Sequence, residues 1–207
     1  VTPSKRLMDI ILALLLLVLL APVALIVAMV ILLRDGGPVF YVSERMRSQD
    51  RGFDLWKFRT MDTVENDGGA SGGHKSSRIT STGRILRRTR LDEVPQLWNI
   101  LRGDISFVGP RPPLRQYVEQ FPELYGQVLQ ARPGLTGLAT LAYHRTEEKL
   151  LAHCKTAEEN EAVYVGRCIP QKARIDMIYR ENRTICFDLW LILATVIRRL
   201  PLRISRK

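Results

Sequence analysis

The sequence has 207 residues, 46% of them hydrophobic, with 31 Lys and Arg against 21 Asp and Glu and a formal charge of +10. The length suits one domain with an accessory element, and the charge favours anionic partners: nucleic acid, nucleotide phosphates or the acidic face of a bilayer. Cys154, Cys168 and Cys186 give neither a disulfide framework nor a zinc site and fit a reducing compartment, and His74, His144 and His153 have no metal-ligand spacing.

In chain order, Ile10 to Leu33 is an uninterrupted apolar stretch of about 24 residues. As a helix it would be about 36 Å long, enough to cross a bilayer, and it lacks the cleavage site of a secretory signal. Pro22 sits at its middle, where it removes a helix hydrogen bond, and basic residues flank both ends: Lys5 and Arg6 before, Arg34 after. The flanks give no orientation by the positive-inside rule. A straight anchor and a broken helix that enters and leaves by one leaflet both remain open on these residues alone.

Next, 38–42 and 53–58 are short, aromatic and β-branched, and read as a hairpin. Residues 62–82, rich in Gly and Ser, read as a mobile loop. Leu86 to Arg90 ends a short helix, and Pro95 suits the first turn of the next, so that Asp92 and Glu93 stand at its amino end, where anions are favoured. Helical composition recurs over 112–125, 149–164 and 171–183, the last with Ile175, Met177, Ile178 and Tyr179 on its apolar side. Phe187 to Leu193, followed by a basic tail from Arg198 to Lys207, suits an amphipathic helix at a membrane interface, or an ordinary packing helix with a solvated end. The fold class is α+β, mainly helical.

The chemistry concentrates between residues 84 and 111. Asp92 and Glu93 lie among Arg84, Arg87, Arg88, Arg90, Arg102 and Arg111. Nearby positive charge favours ionised carboxylates, and arginine forks suit phosphate. A carboxylate held against a bound phosphate can act as the nucleophile of phosphoryl transfer. The plainer alternative is a helix cap followed by a first-turn acid. Nucleic-acid binding is disfavoured, because no aromatic residues alternate with the arginines as stacking positions.

Four blocks then carry a resemblance: Lys57-Phe58-Arg59-Thr60-Met61; Arg78-Ile79-Thr80 with Gly83-Arg84; Asp92-Glu93 through Gly109-Pro110-Arg111-Pro112; and Arg132-Pro133-Gly134-Leu135-Thr136-Gly137. In this order they resemble the bacterial sugar transferases, monotopic phosphoglycosyl transferases acting on a polyprenyl phosphate carrier. The resemblance implies a re-entrant membrane hairpin broken at Pro22 over residues 1–36. A cytoplasmic catalytic domain at the surface of the bacterial inner membrane follows over 37–207, with the mobile loop 62–82 and the C-terminal interfacial helix. It implies that a UDP-sugar and polyprenyl (undecaprenyl) phosphate give polyprenyl diphosphosugar and UMP, the first membrane step of a glycan. It implies Asp92 as nucleophile, Glu93 as a second catalytic residue that positions the metal or handles the proton of the acceptor phosphate, Asp92 and Glu93 as ligands of Mg²⁺, and Arg87, Arg111, Lys57 and Arg59 as phosphate-binding residues. Arg132, Thr136 and Arg145 are nucleotide-binding candidates. Nucleic acid is not an implied partner, and self-association is left open.

The likeness weakens after Gly137, where typical members carry a Gln-Val and a Gly-Arg-Asn element and this chain reads Leu138 to Arg145. Arg47, too, stands where a glycine is common. The rival readings are a basic membrane-tethered binding protein without catalysis and a glycosyltransferase that releases UDP.

Overall fold

The computed structural model describes residues 2–62 and 78–197. Helix α1 (Pro3–Arg34) opens it: Thr2 caps the amino end by accepting from the Lys5 N–H, and Pro3 takes a first-turn position where no N–H is needed. The helix runs through Pro22 without ending, so the interruption expected there is not a break in secondary structure. The proline removes one intrahelical bond, and the apolar turns on either side keep theirs.

Only Lys5, Asp9, Ala13, Val27 and Ile31 of α1 are buried. They are spaced by four within each end, which makes one narrow stripe on a helix. Both ends of that stripe are tied to the rest of the protein. At the amino end Lys5 donates to the Val108 carbonyl (3.0 Å), the Tyr179 hydroxyl (3.0 Å) and the Asp188 carboxylate. One turn on, Asp9 accepts from the Ser106 hydroxyl (3.1 Å) and the Phe107 N–H (3.3 Å). At the carboxyl end Thr80 and Thr82 donate to the Asp35 carboxylate (2.9 and 3.2 Å).

Strands β1 (Phe40–Met46) and β2 (Gly52–Phe58) form the expected antiparallel hairpin, with Phe40 opposite Phe58 and Met46 opposite Gly52. Of the loop expected over 62–82, residues 63–77 lie outside the described residues. Its edges are held by a bridge between Met61 and Ile79, and 81–82 already belong to α2 (Ser81–Thr89), capped by Thr80. Then come α3 (Gln96–Arg102), β3 (Ser106–Val108), α4 (Arg115–Gln120), α5 (Pro122–Val128) and β4 (Gly134–Thr136). The helix expected over 112–125 is therefore two, divided at Phe121, before Pro122.

Four helices close the described chain: α6 (Leu138–Ala152), α7 (Ala157–Val163), α8 (Ile169–Asn182) and α9 (Ile185–Val196), with a π turn (Tyr164–Cys168) between α7 and α8. The single helix expected over 149–164 is divided too, because Thr156 starts α7 by accepting from the Glu159 N–H. The parallel pair β3–β4 had no sequence expectation. Around it Ile100, Ile105, Phe107, Val108, Leu138, Tyr179 and Leu191 form the main core, which Ala13 of α1 joins. Helix α9 buries Asp188, Leu191 and Ala194 and exposes Leu189, Leu193 and Val196, so it is apolar on both faces and lacks the polar side expected of an amphipathic helix. The basic tail from Arg198 lies outside the described residues.

Candidate active site

Arg90 ends α2 in a left-handed conformation (φ 57°), uncommon for a side chain larger than glycine, and the chain turns there into a 3₁₀ turn, Leu91–Glu93. That turn sets Asp92 at 9% exposure, with Glu93 beside it and paired with Arg90 at 3.5 Å. Pro95 follows as the cap of α3, close to its expected position.

Burial, followed by the charge of Glu93, raises the Asp92 carboxyl above its ordinary range, and Lys57 and Arg87 only partly offset this. This corrects the expectation that surrounding cations dominate: desolvation and a like charge outweigh them. Lys57, half-buried on β2, is pushed down to about 8, first by burial and then by Arg111, while Glu93 and Asp92 pull the other way. Arg45 on β1 is lowered likewise, by burial and by Arg111. Lys57, Arg45 and Arg111 thus repel one another at the edge of the Asp92 turn. Three mutually repelling cations are relieved by a bound polyanion, and phosphate suits them.

The structure brings together Asp92, Glu93, Lys57, Arg87 and Arg111. Arg87 donates through Nε to the Thr60 hydroxyl at 2.9 Å, which orients its guanidinium beside Asp92. Four other candidates stand elsewhere. The Arg59 guanidinium, 6% exposed, donates to the Asp35 and Gly36 carbonyls and closes the carboxyl end of α1. Arg132 lies near Arg6 and Arg47, with Nη1 buried and without a hydrogen-bond partner. The buried Thr136 hydroxyl bonds that of Thr195 on α9 (2.8 Å). Arg145 is exposed on α6. Arg45, conversely, joins the cluster without having been a candidate. Its signal was strand parity: Arg45 and Lys57 share a face once Phe40 is paired with Phe58.

Among the described residues no group of three or more His, Cys, Asp or Glu side chains could hold a metal ion. Asp92 and Glu93 fit Mg²⁺ only in its phosphate-assisted mode, in which one or two carboxylates share the ion with substrate oxygens and water.

Two glycine-bearing blocks support this arrangement from behind. A side chain at Gly109 would meet the Arg132 carbonyl, one at Gly134 the Gly109 N–H, and one at Gly137 the Gly109 carbonyl. The Gly-Pro-Arg-Pro and Arg-Pro-Gly-Leu-Thr-Gly segments are therefore locked backbone to backbone beside β3 and β4, with Arg111 carried at their margin.

In comparison with known proteins, residues 2–201 match the family described as bacterial sugar transferase. The chain belongs to that family. It is 35% identical over 198 residues to the UDP-glucose:undecaprenyl-phosphate glucose-1-phosphate transferase of Klebsiella pneumoniae, covering 94% of this chain and 39% of that protein. The protein of the same description from Caulobacter vibrioides is 36% identical over 197 residues, 93% of this chain and 68% of its own length. The UDP-N-acetylgalactosamine-undecaprenyl-phosphate N-acetylgalactosaminephosphotransferase of Aeromonas hydrophila is 36% identical over 145 residues, 67% of this chain and 34% of that protein. The chain thus spans about two fifths of the Klebsiella relative's length. The family match runs through the segment after Gly137, where the motif reading weakens, and that segment forms α6.

Proposed function

We propose that this sugar transferase moves a sugar 1-phosphate from a UDP-sugar to a polyprenyl phosphate, releasing UMP, through a phosphosugar carried on Asp92. The observation that carries the reading is a buried carboxylate whose neighbours are Glu93 and the cations of the Lys57 cluster. The named relatives use UDP-sugars as donors and undecaprenyl phosphate as acceptor, which supports the same substrate classes here.

The Asp92 oxygen attacks the sugar-bearing phosphorus as the bond to the UMP oxygen breaks. Lys57, Arg45 and Arg111 hold the pyrophosphate oxygens, and Arg87 stands beside the nucleophile. A phosphate oxygen of the acceptor then attacks the same phosphorus and frees the Asp92 carboxylate. Glu93 is close enough to Asp92 to share its metal or to take a proton from the acceptor. Mg²⁺, held by Asp92, Glu93 and substrate oxygens, would neutralise phosphate charge.

The reading includes the membrane. α1 is long and apolar enough to cross a bilayer, yet both its ends are bonded to the same domain. Such a helix serves as a re-entrant element bent about Pro22, with residues 37–207 as the catalytic domain at the cytoplasmic face of the bacterial inner membrane.

The test is UMP release from the donor without acceptor. Wild type should release up to about one equivalent and gain a sugar-phosphate mass, lost on adding polyprenyl phosphate. Asp92→Asn should do neither. UDP as the released nucleotide would make the protein a glycosyltransferase, and UMP only in the presence of both substrates would make Asp92 a ligand, not a nucleophile.

A further inference from the structure

An apolar groove of about 540 Å³ runs between α1 and the hairpin. That volume falls in the range of small-molecule sites. One wall is the small-residue side of α1, Ala21, Ala24 and Ala28; the other is aromatic, with Phe40 and Trp56 of the hairpin and Trp98 of α3. Val94 and Pro95, two and three residues beyond Asp92, also line it, which brings the groove beside the Asp92 turn. We infer that this groove holds the first isoprene units of the polyprenyl phosphate acceptor, with the acceptor's phosphate at Asp92.

Three observations favour that occupant. The groove shares Leu17 and Leu25 with an outer face of α1 on which large apolar side chains stay exposed, among them Leu15, Val18, Leu19 and Leu33. An apolar face that wide marks a lipid or protein contact, and here it leads straight into the groove. Strand β2 alternates, Trp56 and Phe58 toward the groove and Lys57 on the opposite face with the cation cluster. The strand therefore offers an apolar surface and a cationic one at adjacent residues, the two requirements of a phosphate on a hydrocarbon chain. Finally, the residues that line the groove are all apolar, Trp56 and Trp98 included, as an isoprene chain requires.

The inference rests on the proposed reaction, and the two fail separately. Full-length protein in phospholipid nanodiscs is assayed in both half-reactions. Ala24→Leu narrows the groove and should raise the acceptor KM by about tenfold or more, while the acceptor-independent UMP burst keeps its amplitude. Trp98→Ala, at a half-exposed side chain of the groove wall, should also raise that KM, and Leu33→Ala, outside the groove, should not. A polyprenyl phosphate bearing a diazirine near its phosphate end should label Phe40, Trp98 or the alanine wall, and unlabelled polyprenyl phosphate should displace it. Unchanged acceptor KM in both groove variants would overturn the inference. So would labelling of the same residues by a diazirine phospholipid that polyprenyl phosphate fails to displace, since the groove would then hold an ordinary acyl chain. Absence of the burst in wild type would overturn the two-step reaction, and the labelling would still report on the groove.

Discussion

Lys57 is where the proposed phosphate binding and stability oppose each other. Its folded-state pKa, about 8, lies below the ordinary 10.5, so folding disfavours its ammonium. That cost is present at all pH values below about 8 and fades as pH rises from there toward 10.5, where the unfolded chain also loses its proton. Lys57→Met should therefore stabilise the protein by on the order of 1–3 kcal/mol below pH 8, with the gain shrinking at higher pH, as thermal unfolding across pH would measure. It should also cost about 10–100-fold in kcat/KM through the lost phosphate contact. In wild type, activity should fall on the alkaline side as Lys57 deprotonates near 8. On the acid side it should fall as Asp92 protonates, at a pH above the ordinary carboxylate range because its pKa is raised. Lys57→Arg should keep activity and move the alkaline limb upward. An alkaline limb that stays put in Lys57→Arg would assign that titration to another group.

The elements divide by how local their signals are. The β1–β2 hairpin and α8 follow from aromatic and β-branched composition and from apolar spacing, contained within a few residues, whereas only the end of α2 is legible, because its cap Thr80 falls in the Gly- and Ser-rich stretch. The β3–β4 pair does not, because each strand has three residues and its partner lies some 28 positions away, too little for a periodic signal. Its only trace is the glycines Gly109, Gly134 and Gly137, which serve close backbone approach. Arg59 was misplaced for a related reason: a motif lists charged residues in a row, while strand and loop geometry sends Lys57 toward Asp92 and Arg59 toward the end of α1. Gly109→Ala, whose added methyl would press on the Arg132 carbonyl, should destabilise by about 1–3 kcal/mol. That corresponds to a melting-temperature drop of roughly 2–4 °C per kcal/mol. Gly166→Ala, with open space around it, is the control and should leave the melting temperature unchanged or raised. Equal melting temperatures in the two variants would remove the case for the interlocked segments.

At the scale of the whole molecule, the apolar helix and the charged domain solve one problem together. A straight 32-residue helix is about 48 Å long, longer than a bilayer's hydrocarbon core. Were it to cross, Lys5 and Asp35 would lie on opposite sides of the membrane, yet Lys5 bonds Asp188 and Asp35 bonds Thr80 within one domain. Detaching the amino end would leave Asp188 buried with the Tyr179 hydroxyl but without its cation, and the Ser106 and Phe107 donors without Asp9, at the high cost of an unpaired interior charge. The re-entrant arrangement keeps every one of these bonds and still lets the outer face of α1 sink into lipid. It predicts that Thr2→Cys and Gly37→Cys, introduced singly, react with a membrane-impermeant maleimide from one side of sealed inverted vesicles. That side should be the one on which exposed Cys186 of the catalytic domain reacts, with Cys154 and Cys168 replaced by Ser. Lys5→Met should weaken the tether at the amino end, increasing labelling at position 2 without moving it across the membrane. Reaction of position 2 and position 37 from opposite sides would mean that α1 spans the bilayer, and the bonds made by Lys5 and Asp9 could not then persist in the membrane.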